Sequence, residues 1–256
     1  MNQDLIIRDK NGLTEFLESY EKNIMSVIGD GVQFGRIMSL AVMALKATPA
    51  LGNCTKDSFL KSLIESLIIG IEPNTPLDQA YLIPFKGKVT LQLGYKGLIR
   101  LAYNSGRIDS LYPVNVFEGD DFQVTRGTSP EILHTENYDC ERSDKTFKFS
   151  YACVRMKDST VPIFDVMTKK EVDLIRAKAQ TQKIWTPHYL EMAKKSVIKR
   201  ITKIIPQSSE SIYLAQAVQL DNQAETGKDQ TFMADTDELC ELCGTYHRKG
   251  DECPLP

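Results

Sequence analysis

Residues 72–107, EPNTPLDQAYLIPFKGKVTLQLGYKGLIRLAYNSGR, constrain the fold more than any other stretch. Pro73, Asn74 and Pro76 form a turn-rich entry that no helix can run through. AYLIPF and VTLQL then read as two strands joined through Lys86, Gly87 and Lys88, a glycine hairpin turn. In the second strand Val89, Leu91 and Leu93 share one face, while Thr90 and Gln92 share the other. One side of the hairpin is thus suited to a core and the other to a ligand. Gly94 leads into a helix over about 95–104, closed by Gly106. Lys96 and Arg100 are four apart and share a helical face. Lys96 also sits in the first turn, where free backbone N–H groups favour an anion.

From Phe85 to Arg107 there are five basic residues (Lys86, Lys88, Lys96, Arg100, Arg107) and no acidic one. Tyr81, Phe85, Tyr95 and Tyr103 are interleaved with them. Cations neutralise phosphates and aromatic faces stack on any base, which is what sequence-tolerant single-strand binding requires. A solvated basic face would leave the same pattern. Charge along the rest of the chain is segregated, although the net charge is only −3. Residues 166–206 hold ten Lys/Arg and three Asp/Glu, net +7; residues 221–252 hold three and nine, net −6. A basic core with an acidic tail fits a nucleic-acid protein whose tail meets another partner.

The N-terminal third reads as three amphipathic helices, over 12–29, 32–47 and 56–69, with Asn11 and Thr55 as caps and core stripes at three- and four-residue steps. Residues 107–126 read as further strand broken by Pro113, and the acidic stretch 127–146 as a surface loop with weak strand content. FKFSYACVRM and TVPIFDVM form a second hairpin, with Phe147, Phe149, Tyr151 and Cys153 alternating onto one face. Thr168 and Glu171 make a capping box for a helix to about 180. A loop carrying Lys183 and Trp185 precedes a helix over 187–204, with Thr186 as its cap and Pro187 at its first position. Lys195, Lys199 and Lys203 recur at four-residue steps opposite its apolar arc, Arg200 flanks the arc and Lys194 projects at its edge. An ammonium at an apolar edge needs an anionic partner or must reach out to solvent, which suggests a phosphate site. A helix over 209–220 follows, and 221–238 reads as an acidic linker.

Cys240, Cys243, His247 and Cys253 are spaced C-x2-C-x3-H-x5-C, four soft donors of the kind tetrahedral structural zinc takes. Half of the six cysteines lie in these last 17 residues. So short a segment has no core of its own and would fold on metal binding. It resembles a zinc knuckle with the histidine one position closer to the second cysteine. Four filled ligand places leave no open catalytic position.

No phosphate-binding P-loop, dinucleotide fingerprint, nucleophile elbow or H-E-x-x-H occurs. The chain therefore reads as a binding protein rather than an enzyme, with no use of ATP. A metal-dependent nuclease would have to draw on Asp120, Asp121 or Glu191. A third reading is a DNA-binding adaptor that recruits a partner through the cysteine-rich module. The N-terminus has no secretory h-region, and no run approaches the ~18 apolar residues of a membrane span. These features place the protein in the cytoplasm, without membrane association.

ALKATPALGNCTKDSFLKSLIESLIIGIEPNTPLDQAYLIPFKGKVTLQLGYKGLIRLAYNSG and WTPHYLEMAKKSVIKRITKIIPQS resemble the RecT family of phage and prophage single-strand annealing proteins, over about residues 40–207. The resemblance implies an α+β fold in which a small antiparallel sheet of hairpins packs against helices. It implies ATP-independent annealing of complementary strands in homologous recombination inside a bacterial host. Single-stranded DNA, annealed duplex, copies of the same chain and an exonuclease or host single-strand-binding protein are the implied partners. It carries a DNA groove onto Lys86, Lys88, Lys96 and Arg100, and onto Lys194, Lys195, Lys199 and Arg200, with Gln92, Tyr95, Arg107, Lys183 and Trp185 beside them. The expected organisation is an annealing core over 1–207, a helix and acidic linker over 208–238, and a zinc module over 239–256. The cysteine-rich module departs from the family pattern.

Overall fold

A computed structural model describes residues 6–7, 9–28, 31–180, 182, 184–206, 211–228 and 230, with backbone alone for 237–239 and 246–248. The fold is α+β, with small antiparallel sheets and helices. The chain divides into two compact units. The first comprises residues 1–94, 219–224 and 228–256, and the second 95–218 and 225–227. The division falls between Gly94 and Tyr95, inside the stretch expected to form one core. Among the described residues no helix is long and apolar enough to cross a membrane.

In the first unit the helix expected over 12–29 is two helices, α1 (Lys10–Ser19) and α2 (Glu21–Ile28). Tyr20 interrupts them at φ −106° and ψ 9°, donating its N–H to the Leu17 carbonyl. Asp9, not Asn11, caps α1 by accepting from the Gly12 N–H at 2.8 Å. Helix α3 (Phe34–Ala47) and α4 (Lys56–Ile68) follow the expected periodicity. Leu13, Leu17, Ile24, Ile37, Leu40, Phe59 and Leu63 bury their side chains as the core of this unit. Strands β1 (Ala80–Phe85) and β2 (Lys88–Leu93) form the expected hairpin, Phe85 opposite Lys88, with α4 against its apolar face.

The hairpin turn has two residues, Lys86 at φ 49° and Gly87 at φ 77°. Positive φ at both positions matches the right-handed twist of the strands. Both outer edges of this two-stranded sheet are closed by side chains. On β2, Ser58 Oγ accepts from the Val89 N–H at 2.9 Å and Ser62 Oγ donates to the Val89 carbonyl at 3.0 Å. The Gln230 amide accepts from the Leu91 N–H at 2.6 Å and donates back to its carbonyl at 2.5 Å. Asp221 accepts from the Leu93 N–H at 3.1 Å. On β1, Asn74 Oδ1 accepts from the Leu82 N–H at 2.8 Å. Residues 221–230, read as linker, therefore include a helical turn and buried side chains.

The second unit is built on a three-stranded sheet in the order β3 (Ile108–Phe117), β6 (Phe147–Met156), β7 (Ile163–Thr168). Pro113 does not break β3, because β3 is an edge strand and its missing N–H is not needed by the ladder. The strand content expected within 127–146 is β5 (Glu131–Thr135), which pairs with β4 (Asp121–Thr125). Helix α5 (Tyr95–Asn104) packs on β3, and α6 (Lys169–Lys178) on β6 and β7. Helix α7 (Tyr189–Ile201) packs on all three strands. Thr168 and Glu171 form the expected capping box of α6. Helix α7 starts later than expected, with His188 rather than Thr186 as cap. Helix α8 (Ile212–Thr226) ends at Gly227, whose φ is +67°.

Strand β6 does not keep one alternation. Phe117 pairs with Phe147 and Val116 with Phe149, so β6 carries an extra residue at Lys148. The bulge sends Phe147 toward Tyr189 of α7, ring centroids 5.5 Å apart. Phe149 and Tyr151 instead meet Phe122 of β4 at 5.4 and 5.5 Å. Cys153 is half-buried. The β4–β5 hairpin is anchored by Asp120, a fully enclosed carboxylate. Burial alone would raise its pKa. The N–H groups of Asn137 and Phe117, with His134 and Arg142, outweigh burial and bring it down to about 2.

Gly94 closes the hairpin where its N–H donates to the Gln79 carbonyl at 2.9 Å. A Cβ there would lie 2.4 Å from the Asp78 carbonyl oxygen, with backbone and not a flexible side chain in the way. Gly94→Ala is expected to cost about 1–3 kcal/mol in a denaturant titration. Gly35→Ala, exposed in α3 with nothing within 4 Å, should instead stabilise by about 0.5–1 kcal/mol.

Candidate functional site

Cationic side chains cluster separately in each unit. In the first, Lys86 and Lys88 stand exposed at the hairpin turn. The Lys86 ammonium lies 5.1 Å from the centroid of the Phe85 ring. Gln92 is half-buried opposite Tyr81. The Tyr81 hydroxyl donates to Asp78 at 3.1 Å. Burial first, and then the Asp78 carboxylate, push its pKa up to about 12. Tyr81 is thus a fixed, neutral, half-exposed ring beside the polar face.

In the second unit, Lys96 and Arg100 are both exposed on α5. Helix α5 packs on α7 and brings Tyr95 beneath Lys194, whose ammonium is 6.0 Å from the ring centroid. Lys194 does find an anionic partner, but an internal one: Glu191, at 3.1 Å. Tyr103 is 41% exposed, and its hydroxyl accepts from the Leu111 N–H at 3.0 Å. Arg107 is tied to Asp158 at 2.8 Å. Trp185 is 2% exposed and packs near Tyr189, so its ring is core and is not presented to a base. Lys183 lies outside the described residues.

The lysine ridge of α7 is largely covered. Lys195 and Lys199 are 3% and 8% exposed, and only Lys203 of the three is open. Their ammonium groups lie 3.4 and 2.6 Å from the Glu225 carboxylate, at the end of α8. Four-residue spacing defines a ridge but cannot say which distant segment covers it. Arg200 is likewise engaged. Its guanidinium bonds both oxygens of Asp165, the Val166 carbonyl and, at 2.6 Å, Glu171. Burial opposes the charged form, but Asp165 and Glu171 prevail and raise its pKa. Arg200 thus joins β7 to α6 from α7.

Of the acids a nuclease would need, Asp120 and Glu191 are engaged within the fold, while Asp121 is exposed and accepts from the Gln123 amide at 3.4 Å. Asp120 accepts from the Asn137 and Phe117 N–H groups and from Arg142, and Glu191 pairs with Lys194. Sequence reasoning passed over Glu225 and Asp221, placing both in a linker. The opposed charges of 166–206 and 221–252 were the signal that could have joined them. Arg126 was also passed over; it is mostly exposed over the Phe164 ring and lies 3.6 Å from Asp165. Cys240, Cys243 and Cys253 lie outside the described residues, and His247 is described only as backbone in β9 (Tyr246–Arg248). Among the described residues no three His, Cys, Asp or Glu side chains converge as metal ligands.

A family model described as the RecT family matches residues 35–233. The chain belongs to the RecT family. It is 37% identical to Protein RecT of Escherichia coli (strain K12) over 196 residues, 73% of this chain and 70% of that protein. Uncharacterized protein YqaK of Bacillus subtilis (strain 168) is 26% identical over 183 residues, 70% of this chain and 62% of that one. The matched region extends past residue 207 and takes in α8 with Glu225, together with Gln230. The RecT-family region is therefore longer than the two quoted motifs suggested.

The pairing of Arg200 yields a stability prediction. Arg200→Lys keeps one charge but loses the fork that spans Asp165 and Glu171. It should lower stability by about 1–3 kcal/mol in a urea titration, with Lys203→Ala as a near-neutral control.

Proposed function

We propose that this RecT-family chain binds single-stranded DNA and anneals complementary strands in recombination, without ATP and as an oligomer along the strand. Membership of the family across residues 35–233 carries the reading. Exposed cations supply the chemistry it needs in each unit: Lys86 and Lys88 on the hairpin that carries Tyr81 in the first, Lys96 and Arg100 on the helix that carries Tyr95 in the second. Ammonium and guanidinium groups neutralise phosphates whatever the sequence, and half-exposed rings accept any base. Annealing breaks no covalent bond, so positioned charge is sufficient. Gln92 offers a neutral hydrogen-bonding group on the same hairpin face. The setting is the cytoplasm of a bacterial host, with an exonuclease or a single-strand-binding protein as further partner through the C-terminal segment.

We also propose that Cys240, Cys243, His247 and Cys253 hold a structural zinc. Support comes from the donor set, three thiolates and an imidazole at knuckle spacing. Backbone pairing of β8 (Asp237–Leu239) with β9, Leu239 opposite Tyr246, is compatible with it.

Mixing complementary oligonucleotides with the protein should speed duplex formation equally with and without ATP, and strand lengths should be unchanged after incubation with magnesium. A need for ATP, or shortened strands, would overturn the annealing reading. Lys86→Asn provides the site test, because asparagine tolerates the positive φ of that turn position. It should leave the melting temperature unchanged while weakening single-strand binding and reducing the log–log salt slope by about 0.7. For zinc, metal analysis of the purified protein should find about one ion per chain, and Cys243→Ser should remove it while sparing annealing.

A further inference from the structure

The pairing of Lys195 and Lys199 with Glu225 has a feature that a simple structural ion pair lacks. Two ammonium groups from successive turns of α7 converge on one carboxylate. That carboxylate stands in the last turn of α8, which carries no basic residue. Lys228 donates its N–H to the Gln223 carbonyl at 2.9 Å across Gly227, whose φ is +67°, so α8 ends in a Schellman cap. Glu225 sits one residue before that cap, where the helix dipole disfavours negative charge. Its own helix therefore repels it, and the two lysines hold it. Of the three side chains that of Glu225 is also the most open, 18% exposed.

We infer that Lys195 and Lys199 form a phosphodiester site whose resident occupant is the chain's own Glu225, and that single-stranded DNA binds there by displacing this carboxylate. Glu225 stands in for a backbone phosphate: an anion presented to two ammonium groups, with water largely excluded. A strand that replaces it gains two dehydrated cations and frees Glu225 from an unfavourable helix position. The terminal turn of α8 is thereby a self-inhibitory latch that holds back binding until a strand is present in excess. This inference rests on the single-strand-binding reading proposed above.

Two measurements test it. Glu225→Gln keeps the size and hydrogen-bonding capacity of the side chain but removes the competing charge. Against a labelled poly-dT oligonucleotide it should bind about tenfold more tightly, with a log–log salt slope steeper by about 0.7 per additional phosphate held. Adding Lys199→Gln should abolish that gain. A folded Glu225→Gln protein with wild-type affinity and slope would overturn the latch. The wild-type protein gives a second readout that does not depend on how the variant folds. On adding the same oligonucleotide, amide exchange over 223–228 should accelerate as the Schellman turn opens. Unchanged or slower exchange there, at saturating oligonucleotide, would overturn the displacement. If wild-type protein bound no single-stranded DNA, the annealing reading itself would fall; binding with an inert Glu225→Gln would remove only the latch.

Discussion

Buried ammonium groups need an anion within a few ångströms, and the second unit is arranged around meeting that need. Helix α7 is its central helix, packed on β3, β6 and β7, yet it carries Lys194, Lys195, Lys199 and Arg200. Each has a named counter-charge: Glu191 for Lys194, Glu225 for Lys195 and Lys199, Asp165 and Glu171 for Arg200. Removing one member of a buried pair typically costs about 3–5 kcal/mol, because the other is left without compensation. The pairs therefore fix where β7, α6 and the end of α8 lie relative to α7. A helix that reads as a nucleic-acid face also serves as the electrostatic keel of its unit.

The first unit meets a different constraint. A two-stranded hairpin is marginal alone, and its outer edges expose unpaired N–H and C=O groups. Here those groups are taken up by side chains instead of strands. Ser58 and Ser62 come from α4, Asn74 from the preceding turn, and Asp221 and Gln230 from the far end of the chain. Gln230 bonds both the N–H and the carbonyl of Leu91, as a neighbouring strand would. Residues 221–228 and Gln230 are consequently part of the fold, which agrees with a family region reaching residue 233.

Polar closure recurs at the β4–β5 hairpin. Asp120 bonds two backbone N–H groups, Arg142 and His134, while the other ring nitrogen of His134 lies 3.2 Å from the Tyr151 hydroxyl. Phe122 fills the space beside Phe149 and Tyr151 that the β6 bulge created. One extra residue at Lys148 thereby divides the aromatics of β6 between α7 and the hairpin.

Much of this was legible in the residues. Strict alternation and a Lys-Gly turn specified the β1–β2 hairpin, and an i, i+3 pair of Thr and Glu specified the start of α6, because turn and cap chemistry are local. The exposed cations Lys86, Lys88, Lys96 and Arg100 were legible for the same reason. Periodicity correctly separated an apolar stripe from a lysine ridge on α7, but it could not say that Glu225, 26 residues beyond Lys199, covers that ridge. Nor could it show that Trp185 points inward, that a bulge turns Phe147 away from Phe149, or that Asp221 and Gln230 close a strand edge. By itself the sequence determined the local elements, their order, the family and the charges available. Only the tertiary structure decided which charges are exposed and which are buried against a counter-charge, because burial and long-range pairing depend on contacts between segments that no local pattern encodes.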